Sequence, residues 1–280
     1  MTTTELHGEI VTWDTKSKDV PITTIRNALA KAGLPDVARD LNNRSAFQRA
    51  LGELRENRSI DKVNSDRNGK VVFQLTKKEL RDDKYMEFDF EALVTLDTLS
   101  GDISCNDQNI ETMARNLFAH AMNHRNASDI TRMVQKLFKG NADLFPINPA
   151  RGVAYFVPQI HSEFTARVEQ FLNDVGGSVG RFPVPKGTEH GNRSVREAVD
   201  KGLHAIIDEL DSASLEWSEA TRDDTINRAL DKFEAVQYKA SLYATLLESR
   251  HSELVNHIAE AGKRLLERAE GVRASDEQVV

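Results

Sequence analysis

Five side chains between residues 44 and 58 have the chemistry of nucleic-acid contact: Arg44, Gln48, Arg49, Arg55 and Arg58. Arg and Gln can each make paired hydrogen bonds to base edges, and Arg also neutralises phosphate. Arg67 lies within the turn-forming stretch Asp66–Gly69 just downstream, and Lys70 follows it. Arg132, Gln135, Lys136 and Arg151 form an analogous second set. The same residue types also suit a solvated helix face or an acidic protein partner, so they name a candidate interface and not a target.

Other spacings point to chemistry more weakly. His120 and His124 lie four apart and could share a helix face. A helical zinc hydrolase motif puts Glu directly after the first His, but Ala121 stands here, so the general base is missing. A third ligand from His161 or Glu163 has no distance fixed by the sequence. Solvated or partly buried histidines are the simpler reading, so neither a metal nor a cofactor is expected, and a metal-dependent enzyme is the remote alternative. Cys105 is the single cysteine and falls in or just after a strand, as a structural thiol would. It cannot form an intrachain disulfide, which agrees with a reducing compartment. The loop Gly176–Gly180 follows a helix and is not followed by Lys-Ser/Thr, so it reads as a helix end and turn rather than a phosphate cradle. No catalytic motif emerges.

The elements that would position these residues follow from periodicity. Residues 9–14 alternate as a short strand. Ile22, Ile25, Leu29 and Ala32 repeat at helical spacing between Pro21 and Gly33. Residues 35–41 add one or two turns. Phe47, Leu51 and Leu54 form the stripe of a third helix that Ser45 can cap. Strands ending at Val63 and covering residues 70–75 then make a hairpin. Three helices and a two-stranded hairpin is the order of a winged helix, in which the third helix enters the major groove and the wing touches the backbone. Arg44, Gln48, Arg49 and Arg55 would lie on that helix, and Arg67 and Lys70 at the wing tip.

After the charged connector 76–84, a hairpin turns at Ser100-Gly101, and helices follow from Asn109 and from Ser128 or Asp129. The stretch 143–158 reads as another hairpin, with Pro146 and Pro149 confined to its edge or turn. This repeats the helix–helix–hairpin plan, as a second winged helix would. An amphipathic helix stopped by Gly176 and a short strand close the middle. Beyond the loop 186–193 the chain is helical. From Ile226 to Leu265 apolar positions alternate by four and three, the period of a left-handed helical seam. A continuous helix of about 45 residues would span roughly 70 Å; a break near Ser249–His251 would instead fold it back. Gln237 and His251 fall on this seam, where polar residues can set register. Fold-back into a bundle, with a face left over for a homo-oligomer, is the preferred reading.

The expected organisation is α+β: a winged-helix-like module (1–83), a mixed α+β module (84–186) and a helical hairpin or bundle (193–272). Between Ile22 and Arg81 there are 13 basic and 7 acidic residues, a net +6; from Ser194 to Val280 there are 11 and 18, a net −7. The front is basic and the tail acidic, within a total of −7. No apolar run approaches the roughly 18 residues of a membrane helix, and the N-terminus lacks an export pattern, so a cytoplasmic location is expected.

The winged-helix-like block, Gly152–Pro158 (GVAYFVP), Arg181–Pro185 within GRFPVP, and the acidic helical tail together resemble a sparsely characterised family of unknown function associated with phages and mobile elements of bacteria. The resemblance implies a phage or plasmid accessory role and brings no activity or site residue with it. The expected function is a non-enzymatic nucleic-acid-binding adaptor that contacts duplex DNA. The alternative is a protein-interaction scaffold, or a regulator of a host or viral complex, working through the helical tail.

Overall fold

The computed structural model describes residues 5–15, 19–66, 69–81, 85–148, 154–218 and 220–277. In chain order the elements are β1 (Leu6–Asp14), β2 (Val20–Pro21), α1 (Ile22–Lys31), α2 (Asn43–Glu53), β3 (Arg58–Ser65), β4 (Lys70–Arg81), β5 (Tyr85–Asp97), β6 (Ile103–Cys105), α3 (Gln108–Asn123), β7 (His124–Arg125), α4 (Ala127–Asn141), β8 (Phe145–Pro146), β9 (Tyr155–Pro158), α5 (Ser162–Asp174), β10 (Ser178–Pro185), α6 (Glu189–Ser214), α7 (Asp223–Leu242), α8 (Ala244–Leu247) and α9 (Arg250–Glu277). The fold is α+β as expected, with 56% helix, 24% strand and antiparallel sheets. Among the described residues no helix is long and apolar enough to cross a membrane.

The chain divides into two units. One comprises residues 15–137 and 167–177. Its sheet is the antiparallel meander β3-β4-β5-β6. Leu75, Ala92, Val94, Leu96 and Ile103 on the inner face pack with Phe47, Leu51 and Leu54 of the α2 region and with Ile110 and Ala114 of α3. Asn42 caps α2 by accepting from the Ser45 N–H, so Ser45 is on the receiving side of the cap. Asn126 and Asp129 cap α4 reciprocally, each side chain accepting from the other's backbone N–H.

This unit departs from the winged-helix plan in two places. Residues 35–41 are coil, not helix. Gly33, at φ +64, ends α1, and Asp36 turns the chain by accepting from the Ala38 N–H. Arg26 then anchors the coil through Asp36 and Asp40. The expected two-stranded wing is also part of a larger sheet. β5 pairs with β4 from Lys70↔Asp97 to Arg81↔Tyr85, so a boundary at residue 83 falls between two strands of one sheet.

The other unit comprises residues 1–14, 138–166 and 178–280. Its antiparallel sheet runs β10-β1-β9-β8, so the β8–β9 hairpin is a sheet edge rather than a second wing. Glu9 and Arg181 tie β1 to β10 through two bonds of 2.7 and 3.0 Å. Phe145, Phe156 and Val184 pack into one core with Val199, Leu203 and Ile207 of α6, Phe233 and Val236 of α7, and Leu254, Ile258 and Leu265 of α9.

The seam breaks where fold-back required it. α7 ends at Leu242, and Glu248 takes φ +52 before α9 starts. α9 then returns antiparallel to α7: Gly262 lies against Phe233, and Arg273 bonds Asn227 at 2.7 Å. Val236 rather than Gln237 faces the core, and Gln237 is exposed beside it.

Candidate functional site

The basic set resolves into free and bound side chains. On α2, Arg44 and Gln48 are exposed, and Arg55 is exposed just past the helix end. Lys70, the first residue of β4, is exposed too. Arg44 borders a concavity of about 340 Å³ with Asn42, Asn43, Ser65, Asp66, Gly69, Val71 and Thr98, so the start of α2 and the β3–β4 turn share one surface. Arg132, Gln135 and Lys136 are exposed on one side of α4. Arg67 and Arg151 lie outside the described residues.

Arg49 and Arg58 are spoken for. Arg49 binds Asp129 through bonds of 2.5 and 2.7 Å, and Asp129 is only 8% exposed. Burial pushes the Asp129 carboxyl up, but the bonds and charge of Arg49 outweigh it and hold the group below the usual carboxylate range. Arg58 grips Glu91 at 2.6 and 2.9 Å, which raises its own pKa. A third arginine, Arg125, is buried at 2% exposure and donates to the carbonyls of Arg39, Ala121, Met122 and His124. Burial lowers its pKa. Nothing local in the sequence marks Arg125 as interior, because its acceptors are backbone carbonyls.

His120 lies in the last turn of α3 and His124 just past it in β7, so they do not share a helix face, but their rings stack with centroids 4.0 Å apart. His120 Nε2 meets Asp19 Oδ2 at 2.9 Å, and His124 Nδ1 meets the His120 carbonyl at 3.1 Å. They line a cavity of about 200 Å³ with Asp19, Arg49 and Glu53. Among the described residues no group of three or more His, Cys, Asp or Glu is placed to hold a metal ion. Cys105 is half-buried, and burial pushes its thiol pKa up, away from the thiolate a nucleophile needs.

The other unit holds a polar cluster that the sequence reading passed over. Asp143, 8% exposed, accepts from the Tyr243 hydroxyl at 2.5 Å and from Lys239 Nζ at 2.5 Å, and lies 3.4 Å from His161 Nε2. A cavity of about 360 Å³ opens beside it, lined also by Lys139, Ile160, Tyr238 and Leu242. Burial pushes the Asp143 carboxyl up, yet its donors His161, Lys239 and Tyr243 carry it far below the usual range. Burial and then Asp143 push the Tyr243 phenol far up. These bonds tether α7 and its C-cap to the segments before β8 and α5. Lys239 on α7 and Tyr243, its C-cap, stand four apart, a spacing that could have flagged a shared partner, but Asp143 is about a hundred residues away.

The chain belongs to the family of unknown function DUF6744, whose model matches residues 6–272. No curated protein and no solved structure matches it.

Proposed function

We propose that this chain is a non-enzymatic nucleic-acid-binding adaptor of phage or mobile-element origin, acting in the bacterial cytoplasm on duplex DNA. One observation carries the reading. Arg44, Gln48, Arg55, Lys70, Arg132, Gln135 and Lys136 are exposed, and among the described residues none of the five cations among them has an ion-pair partner. Cations without an ion-pair partner keep their charge available for phosphate; of the five, Lys70 also feels Asp97 across the sheet, while Arg49 and Arg58 already meet carboxylates. The contacts are therefore to backbone phosphate, few in number, and weak at physiological salt. Fluorescence anisotropy with a labelled 20-base-pair duplex across a salt series tests this. The triple variant Arg44→Ala, Arg55→Ala, Lys70→Ala should weaken binding and flatten the log K against log salt slope by about two to three. An unchanged slope removes these residues from the interface.

The bundle favours a second reading, a protein scaffold that can also self-associate. Tyr238, Leu242, Val255 and Leu266 are exposed on its surface, and a groove of about 170 Å³ runs between α7 and α9 beside Val255. Co-purification of a defined protein without nucleic acid favours it, and light scattering at tens of micromolar reads the self-association.

A further inference from the structure

The register of β4 and β5 sorts their side chains onto two faces. Val71, Leu75, Ala92, Val94 and Leu96 face the core. A bulge between Leu75 and Thr76 leaves Glu91 as the extra residue, and the pairing continues as Thr76↔Phe90, Lys78↔Phe88 and Leu80↔Met86. Alternation puts these six residues on the outer face. Lys77, Glu79, Glu87 and Asp89 take the opposite face, where Lys77 pairs with Glu79 and feels Glu91 and Asp89. Beyond the bulge, then, the outer face holds a cation and no carboxylate among the described residues. On that face Phe88 is 59% and Phe90 56% exposed, unusual for phenylalanine, and neither ring stacks on another described aromatic ring. The face continues through Gln74, with Asp61 of β3 opposite it, and Val72 to Lys70, which stands opposite Asp97.

Exposed rings two residues apart on one strand, about 7 Å from each other, with a lysine across the strand and hydroxyl and amide groups beside them, suit a strand of unstacked bases with an anionic backbone. The bases of a duplex are stacked on each other and offer no free π-face to these rings. We propose that the outer face of β4 and β5 binds single-stranded nucleic acid, with Phe88 and Phe90 stacking on successive bases and Lys78 contacting phosphate. The proposal rests on the nucleic-acid reading above and adds a second, differently built contact surface to it.

The test is anisotropy of the full chain with labelled oligo-dT of 20 nucleotides and with the duplex. The variants are Phe88→Ala/Phe90→Ala, Phe88→Leu/Phe90→Leu, Phe88→Tyr/Phe90→Tyr and Lys78→Glu, each checked by circular dichroism. The rings are exposed, so the three ring variants should fold. The alanine and leucine pairs should each lose at least tenfold in single-strand affinity, the tyrosine pair should stay within threefold of wild type, and Lys78→Glu should weaken binding and its salt dependence. Duplex affinity should not follow the ring variants. Leucine binding as well as phenylalanine overturns stacking. Duplex binding without ring-dependent single-strand binding overturns this proposal alone, and failure to bind either nucleic acid overturns both readings. Loss of a co-purifying protein, rather than of the oligonucleotide, in the alanine pair would make the face a protein-docking surface and overturn the proposal.

Discussion

Arg49 on α2 and Asp129 in the first turn of α4 hold each other through two parallel hydrogen bonds of 2.5 and 2.7 Å. Asp129 also caps its own helix through the Asn126 N–H. One carboxylate thus starts a helix and fastens it to an arginine 80 residues earlier in the chain. This arginine carries fold, not ligand.

Arg49→Ala should therefore destabilise the protein by about 2–3 kcal/mol, because it strands a buried carboxylate. Urea denaturation reads the change. Arg44→Ala, at an exposed unpaired position, should shift the midpoint little. Equal effects of the two would contradict the division into bound and free cations.

Asp143 predicts a pH dependence. An acid whose folded pKa lies below its unfolded value binds fewer protons when folded, so its stabilisation is whole above about pH 5 and drains away as pH falls through and below the ordinary aspartate value of about 3.9. Asp143→Asn should lose about 3 kcal/mol at pH 7. The gap between variant and wild type should narrow on acidification to pH 2.5. Thermal melts across that range check it, and a gap that stays constant would remove Asp143 as the titrating group.

Glu248 sits at φ 52, ψ −123, a region glycine tolerates and other residues do not. Its carboxylate meets Arg196 at 2.5 Å but is 58% exposed, so that pair contributes little. Relief of backbone strain should win: Glu248→Gly should stabilise by about 1 kcal/mol and raise Tm by a few degrees. A lower Tm would show that the ion pair outweighs the strain.

Gly202 works in the opposite sense. A Cβ there would lie 2.6 Å from Cδ1 of the buried Phe145 ring. Alanine favours the helix by about 1 kcal/mol, but overpacking against a fixed ring costs about 1–3 kcal/mol. Gly202→Ala should be destabilising on balance, measured by urea midpoint.

A fragment ending at Asp83 should not fold. It would keep β4 without β5 and α2 without Ala92, Val94, Leu96 and α3, which supply half of the apolar cluster around Phe47. A dispersed, protected amide spectrum from residues 1–83 would show that the module is autonomous after all.

Helix and strand identity, the α+β class and the long C-terminal helices were legible in the sequence, because they follow from apolar spacing within a dozen residues. The same local signal read residues 35–41 as helix, and only the tertiary setting shows why they are not: Asp36 and Asp40 form ion pairs with Arg26 of α1. The seam period runs unbroken through Ser249, so spacing alone could not choose between one long helix and a fold-back. The choice belongs to the α6, α7 and α9 side chains that share one core. The residue types of the candidate interface were also legible, but their availability was not. Whether an arginine is free for phosphate depends on a carboxylate 80 residues away for Arg49 and 33 away for Arg58. The same holds for the exposed rings Phe88 and Phe90. Their alternation with Glu87 and Asp89 was visible in the sequence, yet which face meets the core was decided by pairing with β4 and by the bulge at Glu91. Periodicity is a property of neighbours along the chain, whereas exposure and charge neutralisation are set by neighbours in space.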